Sequence, residues 1–227
     1  SPILITGPSG TGKSQLARKL FHHSIINKEK FLTLHLASLK EDLLESELFG
    51  HRKGSFTGAI EHKSGYFHDV GKGTLFLDEV GELSLESQKK LLYLMEEKKF
   101  TPIGATASQA FEGRLILATN RDLKAMVREG TFREDLYFRL SIFQIKLKSI
   151  AEDKEQLLLE MNKSFEVLKE QYQKPFLKIS QEVISLFLAS RWRGNYRELK
   201  NCLEYVTALV DKREVQKEDL PDWFLEE

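Results

Sequence analysis

The sequence has one cysteine, no net charge and no long apolar run, and each of these shortages excludes a class of protein. Cys202 alone cannot form an internal disulfide, so the chain fits the reducing cytoplasm better than a disulfide-rich secreted class. Lys plus Arg total 34, as do Asp plus Glu, so no overall charge draws the chain to nucleic acid. No run approaches the ~18 apolar residues of a membrane span, and the N-terminus carries no recognisable targeting segment.

What is present is the composition of an ordinary globular protein. Of the 227 residues, 41% are hydrophobic and 30% are charged, which favours one large domain or a core with a smaller appendage. The first apolar run begins already at Ile3, which suggests a domain taken from a longer protein.

Apolar runs alternate with amphipathic stretches through the first 150 residues. The runs that we predict to be strands are ILIT, FLTLHL, TLFLDE, RLILATN and FQIKL. Strands that alternate with helices predict a parallel sheet covered by helices. Beyond this region only helical patterns recur, over 154–171, 181–190 and 195–210. We therefore predict an α/β core at 1–150 and a helical domain at 151–227.

The segment GPSGTGKS matches the pattern of a phosphate-binding P-loop and lies between a predicted strand and a predicted helix. Its glycines let backbone N–H groups converge on phosphate oxygens at a helix N-terminus, where the partial positive charge favours an anion. Lys13 suits the β- and γ-phosphates of ATP, and the Ser14 hydroxyl suits Mg²⁺. The alternative is a glycine turn before a helix. The residues predicted to bind ATP here are Gly7, Pro8, Ser9, Gly10, Thr11, Gly12, Lys13, Ser14 and Gln15.

Two predicted strands end in polar residues that suit hydrolysis. After TLFL, Asp78 could complete the Mg²⁺ shell while Glu79 acts as general base on the attacking water. After RLILAT, Asn120 could hold that water or sense the γ-phosphate. Acidic pairs are often solvated caps and polar strand ends are often turns, so the P-loop is what favours the catalytic interpretation.

The segment ELFGHRKGSFTGA, at residues 47–59, resembles the ELFGHxxGAFTGA signature of the sigma-54 activator (NtrC-like) branch of AAA+ ATPases. Similar matches continue through GTLFLDEVGELSLESQKKLL, ATNRDL, FREDLYFRL and WRGNYRELKN, so the resemblance covers nearly the whole chain. It implies a P-loop AAA+ fold, with a three-layer α/β core and parallel sheet followed by a small all-helical lid. It also implies ATP and Mg²⁺ as cofactors and a homo-oligomeric ring, usually a hexamer.

The resemblance assigns three further sets of residues. Phe56 and Thr57 would contact sigma-54 in the RNA polymerase holoenzyme; the alternative is a β-turn whose Phe56 folds back into the core. Arg133 and Arg139 would be arginine fingers that reach the γ-phosphate of a neighbouring subunit, where a planar, permanently charged fork binds oxygens bidentately. Their alternative is surface ion pairing with the adjacent acids. Arg197 would sense the γ-phosphate in cis, or else pair with an acid of the lid.

Several positions depart from the family pattern. His35 replaces an asparagine that restrains the catalytic glutamate, so a hydrogen bond from His35 to Glu79 is one hypothesis and a packed strand histidine is the other. Ser55 replaces an alanine of the loop signature, which could weaken contact with sigma-54. In the lid, Asn195 is expected to be a structural helix N-cap that forms a capping box with Glu198.

These patterns together predict ATP hydrolysis coupled to remodelling of sigma-54 holoenzyme for promoter opening. One alternative is an AAA+ regulator that acts on a different partner, and another is an ATP-binding scaffold with little turnover. No helix-turn-helix pattern or basic stripe is present at the end of the sequence, so we expect no DNA binding by these residues.

Overall fold

The structure, a computed structural model, describes residues 1–25, 29–56 and 58–226, with the backbone alone for Glu41 and Asp42. The chain packs as two compact units. The first consists of Ser1–Gly7 and Lys13–Lys146, and the second of Pro8–Gly12 and Leu147–Glu227. Within the described ranges, no helix is both long enough and apolar enough to cross a membrane.

The first unit contains a parallel sheet, a short hairpin and helices. Its strands are β1 (Ile3–Thr6), β2 (Phe31–His35), β3 (Thr74–Asp78), β4 (Lys99–Phe100), β5 (Gln109–Ala110), β6 (Arg114–Thr119) and β7 (Gln144–Lys146). Its helices are α1 (Lys13–His22), α2 (Glu41–Phe49), α3 (Tyr66–Asp69), α4 (Leu85–Glu97), α5 (Leu123–Arg128) and α6 (Glu134–Leu140). The sheet has the order β2-β3-β6-β1-β7 with every pair parallel, while β4 and β5 pair antiparallel. The predicted parallel sheet is confirmed.

The central strand β3 is apolar throughout because both faces of the sheet are covered. All its residues are buried, as expected for a strand inside a parallel sheet. Leu75 and Leu77 face the core that the sheet shares with helices α2–α6. Phe76, on the opposite face, stacks on Phe31, and α1 packs against β1, β3 and β6. The alternation of side chains along the strand therefore produces the three predicted layers.

The second unit is mainly helical. Its elements are α7 (Lys154–Gln171), β8 (Lys178–Ile179), α8 (Gln181–Ala189), α9 (Asn195–Leu209), β9 (Glu214–Val215) and α10 (Asp222–Leu225). Trp192 lies fully buried at its centre, where its indole N–H donates to the Phe187 carbonyl at 2.7 Å. The expectation of an all-helical lid needs correction, because β8 and β9 form a short parallel pair. Two-residue strands are too short to produce a periodic pattern in the sequence.

Candidate active site

The carboxyl ends of four parallel strands meet at one edge of the sheet and bring polar side chains together. Thr6, His35, Asp78 and Thr119 are the last residues of β1, β2, β3 and β6. Open parallel sheets bind ligands at this edge. Gly7 follows β1 directly, and its N–H donates to the Thr119 carbonyl at 3.3 Å, so the P-loop leaves the sheet at this edge.

Two hydrogen bonds form within the P-loop segment itself. Lys13 opens α1 and is buried at 7% exposure, with its ammonium donating to the Gly7 carbonyl at 3.0 Å. The Thr11 hydroxyl donates to the Pro8 carbonyl at 2.8 Å. Gly10 has φ +76°, a conformation that favours glycine because it has no Cβ. The loop thus has the buried cation and the backbone freedom that a phosphate site needs.

Ser14 and Asp78 lie together, as the prediction of a Mg²⁺ site requires. The Ser14 hydroxyl donates to Asp78 Oδ2 at 3.3 Å, and the carboxylate is buried at 8% exposure. Asp78 Oδ1 is buried and has no hydrogen-bond partner among the described residues. A hydroxyl and an unsatisfied carboxylate oxygen fit Mg²⁺, which usually takes one or two protein ligands together with substrate phosphates. No cluster of three or more His, Cys, Asp or Glu side chains in the described ranges is arranged to hold a metal.

His35 contacts Asp78, and this corrects the hypothesis that it holds Glu79. His35 Nδ1 lies 3.0 Å from Asp78 Oδ2. The reason is register: His35 and Asp78 are direct partners in the ladder between β2 and β3, and in-register residues of parallel strands point to the same face. Glu79 lies one residue further, beyond the end of the strand.

Glu79 is held by the backbone of Asn120. Its Oε2 accepts the Asn120 N–H at 3.0 Å. Glu79 has φ 62° and ψ 53°, a left-handed conformation that costs a non-glycine residue about 1–2 kcal/mol. A strained residue at the end of a central strand is common at functional sites, because the surrounding structure must fix it. The structure thus places the two predicted catalytic residues Glu79 and Asn120 side by side.

The two candidate arginine fingers differ in their surroundings: Arg133 directly precedes α6, and Arg139 lies in its last turn. Arg133 binds Asp135 with two hydrogen bonds, from Nε at 3.0 Å and from Nη2 at 2.7 Å. These bonds raise the pKa of Arg133 and lower the pKa of Asp135. Within one chain, Arg133 therefore forms the ion pair that was its alternative interpretation. Arg139 has no ion pair among the described residues, and its buried Nε lacks a hydrogen-bond partner there.

Gln88 positions the start of α6, a role that the sequence interpretation missed. It is fully buried on α4 and donates from Nε2 to the carbonyls of Leu83, at 2.8 Å, and Thr131, at 3.0 Å. Its Oε1 accepts the Arg133 N–H at 2.8 Å. The sequence does contain a signal for this role: Gln88 is a polar amide at a position of α4 that shares the buried face with Leu91, three residues later.

The candidate partner loop is packed against its own unit. The Phe56 ring lies edge-on to His51, with ring centroids 5.0 Å apart, and Phe56 keeps 39% exposure. His51 is itself buried, and its Nδ1 lies 2.7 Å from the Ser46 hydroxyl. Thr57, the other predicted contact, lies outside the described residues. Phe56 is thus partly folded back, and its remaining surface faces solvent.

In the second unit, Arg197 is an exposed residue of the first turn of α9 and forms no ion pair with the residues described there. Asn195 is not the N-cap that was expected: Gly194 occupies that position, and its N–H donates to Glu198 Oε2 at 2.6 Å. The amide of Asn195 is instead directed at backbone groups of the same unit.

Residues 1–146 match the family described as Sigma-54 interaction domain, and residues 151–227 match the AAA+ ATPase lid domain. The uncharacterized protein in HyuA 5'region of Pseudomonas sp. (strain NS671) is 41% identical over 223 residues, 98% of this chain and 75% of that protein. Regulatory protein AtoC of Escherichia coli (strain K12) is 42% identical over 219 residues, 96% of this chain and 48% of AtoC.

Among solved structures, NtrX from Brucella abortus in complex with ADP has a TM-score of 0.90 at 32% identity, covering 100% of this chain and 50% of that chain. The chain therefore spans about half the length of AtoC and of NtrX.

Proposed function

Because this chain belongs to the sigma-54 interaction domain family and carries the family's AAA+ ATPase lid, we propose that it hydrolyses ATP to remodel sigma-54 RNA polymerase holoenzyme and open promoters. The observation that carries the proposal is the cluster at the sheet edge. Ser14 and Asp78 share a hydrogen bond, Asp78 has an unsatisfied oxygen, and Glu79 stands beside Asn120. The structure of NtrX in complex with ADP supports the proposal that this chain binds an adenine nucleotide.

ATP binds through the P-loop in this proposal. Backbone N–H groups of residues 9–14 hold the phosphates at the N-terminus of α1, Lys13 neutralises the β- and γ-phosphates, and Gln15 lies in the first turn of the helix. Ser14 and Asp78 are the residues that would hold Mg²⁺. When bound, the ion neutralises negative charge on the phosphates.

Glu79 removes the proton from the attacking water. The water oxygen forms a bond to the γ-phosphorus, the bond from that phosphorus to the β–γ bridging oxygen breaks, and ADP leaves with the bond's electron pair. The Asn120 N–H holds one carboxylate oxygen, which orients Glu79 for this transfer. Asn120 is also suited to sensing the γ-phosphate, since it directly follows Thr119, the last residue of the neighbouring strand β6.

Hydrolysis requires assembly into a homo-oligomeric ring, for which we propose a hexamer. Head-to-tail contacts that close into a ring bring Arg133 and Arg139 to the active site of the next subunit. Arg139 is the stronger candidate, because Arg133 is already engaged by Asp135. Arg197 senses the γ-phosphate in cis.

Phe56 and Thr57 transmit the rearrangement that accompanies ATP hydrolysis to sigma-54. This takes place in the cytoplasm, and this segment does not contact DNA directly. Phe56 is suited to this role because its ring lies edge-on to His51 and is partly exposed. A regulator with another target would use the same loop on a different protein.

Phosphate release, measured against protein concentration, tests the proposal. We expect turnover per subunit to rise steeply with concentration, Lys13→Ala to lose ADP binding, and Glu79→Gln to bind ATP but lose about 10²–10⁴-fold in turnover. Unchanged turnover in Glu79→Gln would contradict the mechanism. Nucleotide binding without turnover at any concentration would indicate a scaffold, and active rings that fail to retain purified sigma-54 would indicate a different partner.

A further inference from the structure

Two carbonyl groups of the P-loop are bound by the start of helix α9. Asn195 Nδ2 donates to the Ser9 carbonyl at 2.8 Å, and the Tyr196 N–H donates to the Gly10 carbonyl at 3.1 Å. Ser9 and Gly10 belong to the segment Pro8–Gly12, which packs with the second unit, so these contacts lie within that unit.

These bonds fix the direction of the N–H groups that a phosphate needs. In a planar trans peptide, the carbonyl and the N–H point in opposite directions. The Ser9 carbonyl shares its peptide group with the Gly10 N–H, and the Gly10 carbonyl shares its group with the Thr11 N–H. Binding both carbonyls on one side therefore turns both N–H groups to the other side, as an anion-binding loop requires.

The amide side chain of Asn195 satisfies two neighbours at once. On one side its Oδ1 accepts the Ile150 N–H at 3.0 Å, and on the other its Nδ2 faces the Ser9 carbonyl. The first neighbour can only donate and the second can only accept, which settles the orientation of the amide. A carboxylate would satisfy Ile150 but would present an oxygen to the Ser9 carbonyl.

The position is built closely around this residue. Asn195 is 1% exposed and has φ 54°, a left-handed conformation that Asn tolerates better than most residues. A Cβ on Gly10 would lie 2.0 Å from the Gly194 carbonyl oxygen, so the loop and the turn before α9 are in direct backbone contact.

We propose that Asn195 is a positioning residue for nucleotide binding, which holds the P-loop in its phosphate-binding conformation from the side opposite to the phosphates. The proposal rests on the ATP-binding function proposed above. It replaces the expectation that Asn195 serves only to begin a helix. Its consequence is that nucleotide affinity depends on a residue that does not itself touch the nucleotide.

The test compares two variants of Asn195 with a control on the same helix. Asn195→Asp keeps the acceptor for Ile150 and loses the donor to Ser9, while Asn195→Gly tolerates the left-handed backbone and loses both. Thr207→Val is the control, because Thr207 is fully buried on α9 and donates to the Leu203 carbonyl at 2.6 Å, away from the loop. For each protein, the thermal midpoint without nucleotide and the Kd for ADP are measured.

We expect Asn195→Asp and Asn195→Gly to raise the Kd for ADP by about tenfold, equivalent to about 1.4 kcal/mol. Thr207→Val should lower the thermal midpoint and leave the Kd within about twofold of the parent. The proposal is overturned if the Kd is unchanged in the Asn195 variants, or if it rises equally in Thr207→Val. If Asn195→Asp does not fold, Asn195→Gly decides.

Measurements on the parent protein distinguish a failure of the positioning role from a failure of the proposed nucleotide binding. A parent that does not bind ADP refutes nucleotide binding altogether, whatever the variants do. A parent that binds ADP, with affinity lost in Lys13→Ala and kept in both Asn195 variants, refutes only the positioning role.

Discussion

At the scale of single residues, Arg133 and Arg139 differ in the hydrogen bonds within their own chain that each would have to break to reach the active site of a neighbouring subunit. Arg133 must release Asp135, to which it donates two hydrogen bonds. Arg139 has no such partner among the described residues, and its Nε is buried without a hydrogen bond. We therefore expect Arg139 to be the finger whose removal costs more turnover.

Mixing two inactive variants tests whether an arginine acts across a subunit boundary. Arg139→Ala and Glu79→Gln should each bind ADP normally and lose turnover, by about 10³–10⁵-fold for the arginine. Their mixture should regain measurable phosphate release, because some interfaces then combine an intact Glu79 with an intact Arg139. Arg128→Ala, an exposed arginine of α5, is the matched control and should keep full turnover. A mixture no more active than its components would refute an arginine supplied in trans.

The sequence predicts which residues gather at the sheet edge, but their pairings depend on register. Ser14 is recognisable from the P-loop pattern, and Asp78, Glu79 and Asn120 are recognisable because they lie just after apolar runs. The contact of His35 with Asp78 cannot be predicted from the sequence, because a shift of one residue in strand pairing would move His35 to the other face of the sheet. Only the observed ladder settles it.

At the scale of elements, the long periodic segments are predictable and the short ones are not. The sheet strands and α7 and α9 begin within a residue or so of the predicted positions. The β4–β5 hairpin, the β8–β9 pair and α10 have too few residues to show a period, so tertiary packing decides their structure.

The loop signature contains a buried hydroxyl that we expect to destabilise the first unit. Ser55 Oγ has no hydrogen-bond partner among the described residues, and a Cβ on Gly104 would lie 2.5 Å from the Ser55 Cβ, so the loop packs tightly there. Ser55→Ala should raise the free energy of unfolding by about 1 kcal/mol, since a buried unsatisfied polar group is costly. Urea denaturation measures this. Ser38→Ala is the control and should give no gain, because the Ser38 hydroxyl donates to the His35 carbonyl. A loss of stability in Ser55→Ala would mean that the hydroxyl has a partner.

Cys202 lies on the packed face of α9, which protects its thiol from reaction with thiol reagents. Burial, with a smaller contribution from Glu198, raises the pKa of Cys202 to about 12. At pH 8 the folded thiol is therefore almost fully protonated, and thiolate is the reactive form. We expect thiol reagents to label the native protein far more slowly than the urea-unfolded chain, which serves as the control. At every pH from 7 to 9 the unfolded chain should react faster, because its thiol has an ordinary pKa and a much larger thiolate fraction. Equal rates in the two states would refute burial of the thiol.

At the scale of the whole molecule, the two units have separate hydrophobic cores, and both tryptophans belong to the second. Trp192 is fully buried and Trp223 is partly exposed. Tryptophan emission therefore reports on the second unit alone, whereas far-ultraviolet circular dichroism reports on both. The division of the chain into domains at 1–150 and 151–227 remains our proposal.

Urea unfolding followed by both signals should give transitions that do not coincide, because each core can unfold by itself. Trp223→Phe is the matched variant, since it leaves the buried Trp192 as the only emitter and should keep the same midpoint. Coincident curves would mean that the chain unfolds as a single cooperative structure.

The contact between Gly10 and Gly194 changes how mutants of the P-loop must be interpreted. Any side chain at position 10 would collide with the Gly194 carbonyl oxygen, which can move only if the backbone shifts, even before nucleotide is added. An inactive Gly10 mutant would therefore report misassembly of the polypeptide and reveal nothing about catalysis. The side chain of Lys13 can be shortened without such a collision, so mutations at Lys13 are the informative test of the role of this loop in nucleotide binding.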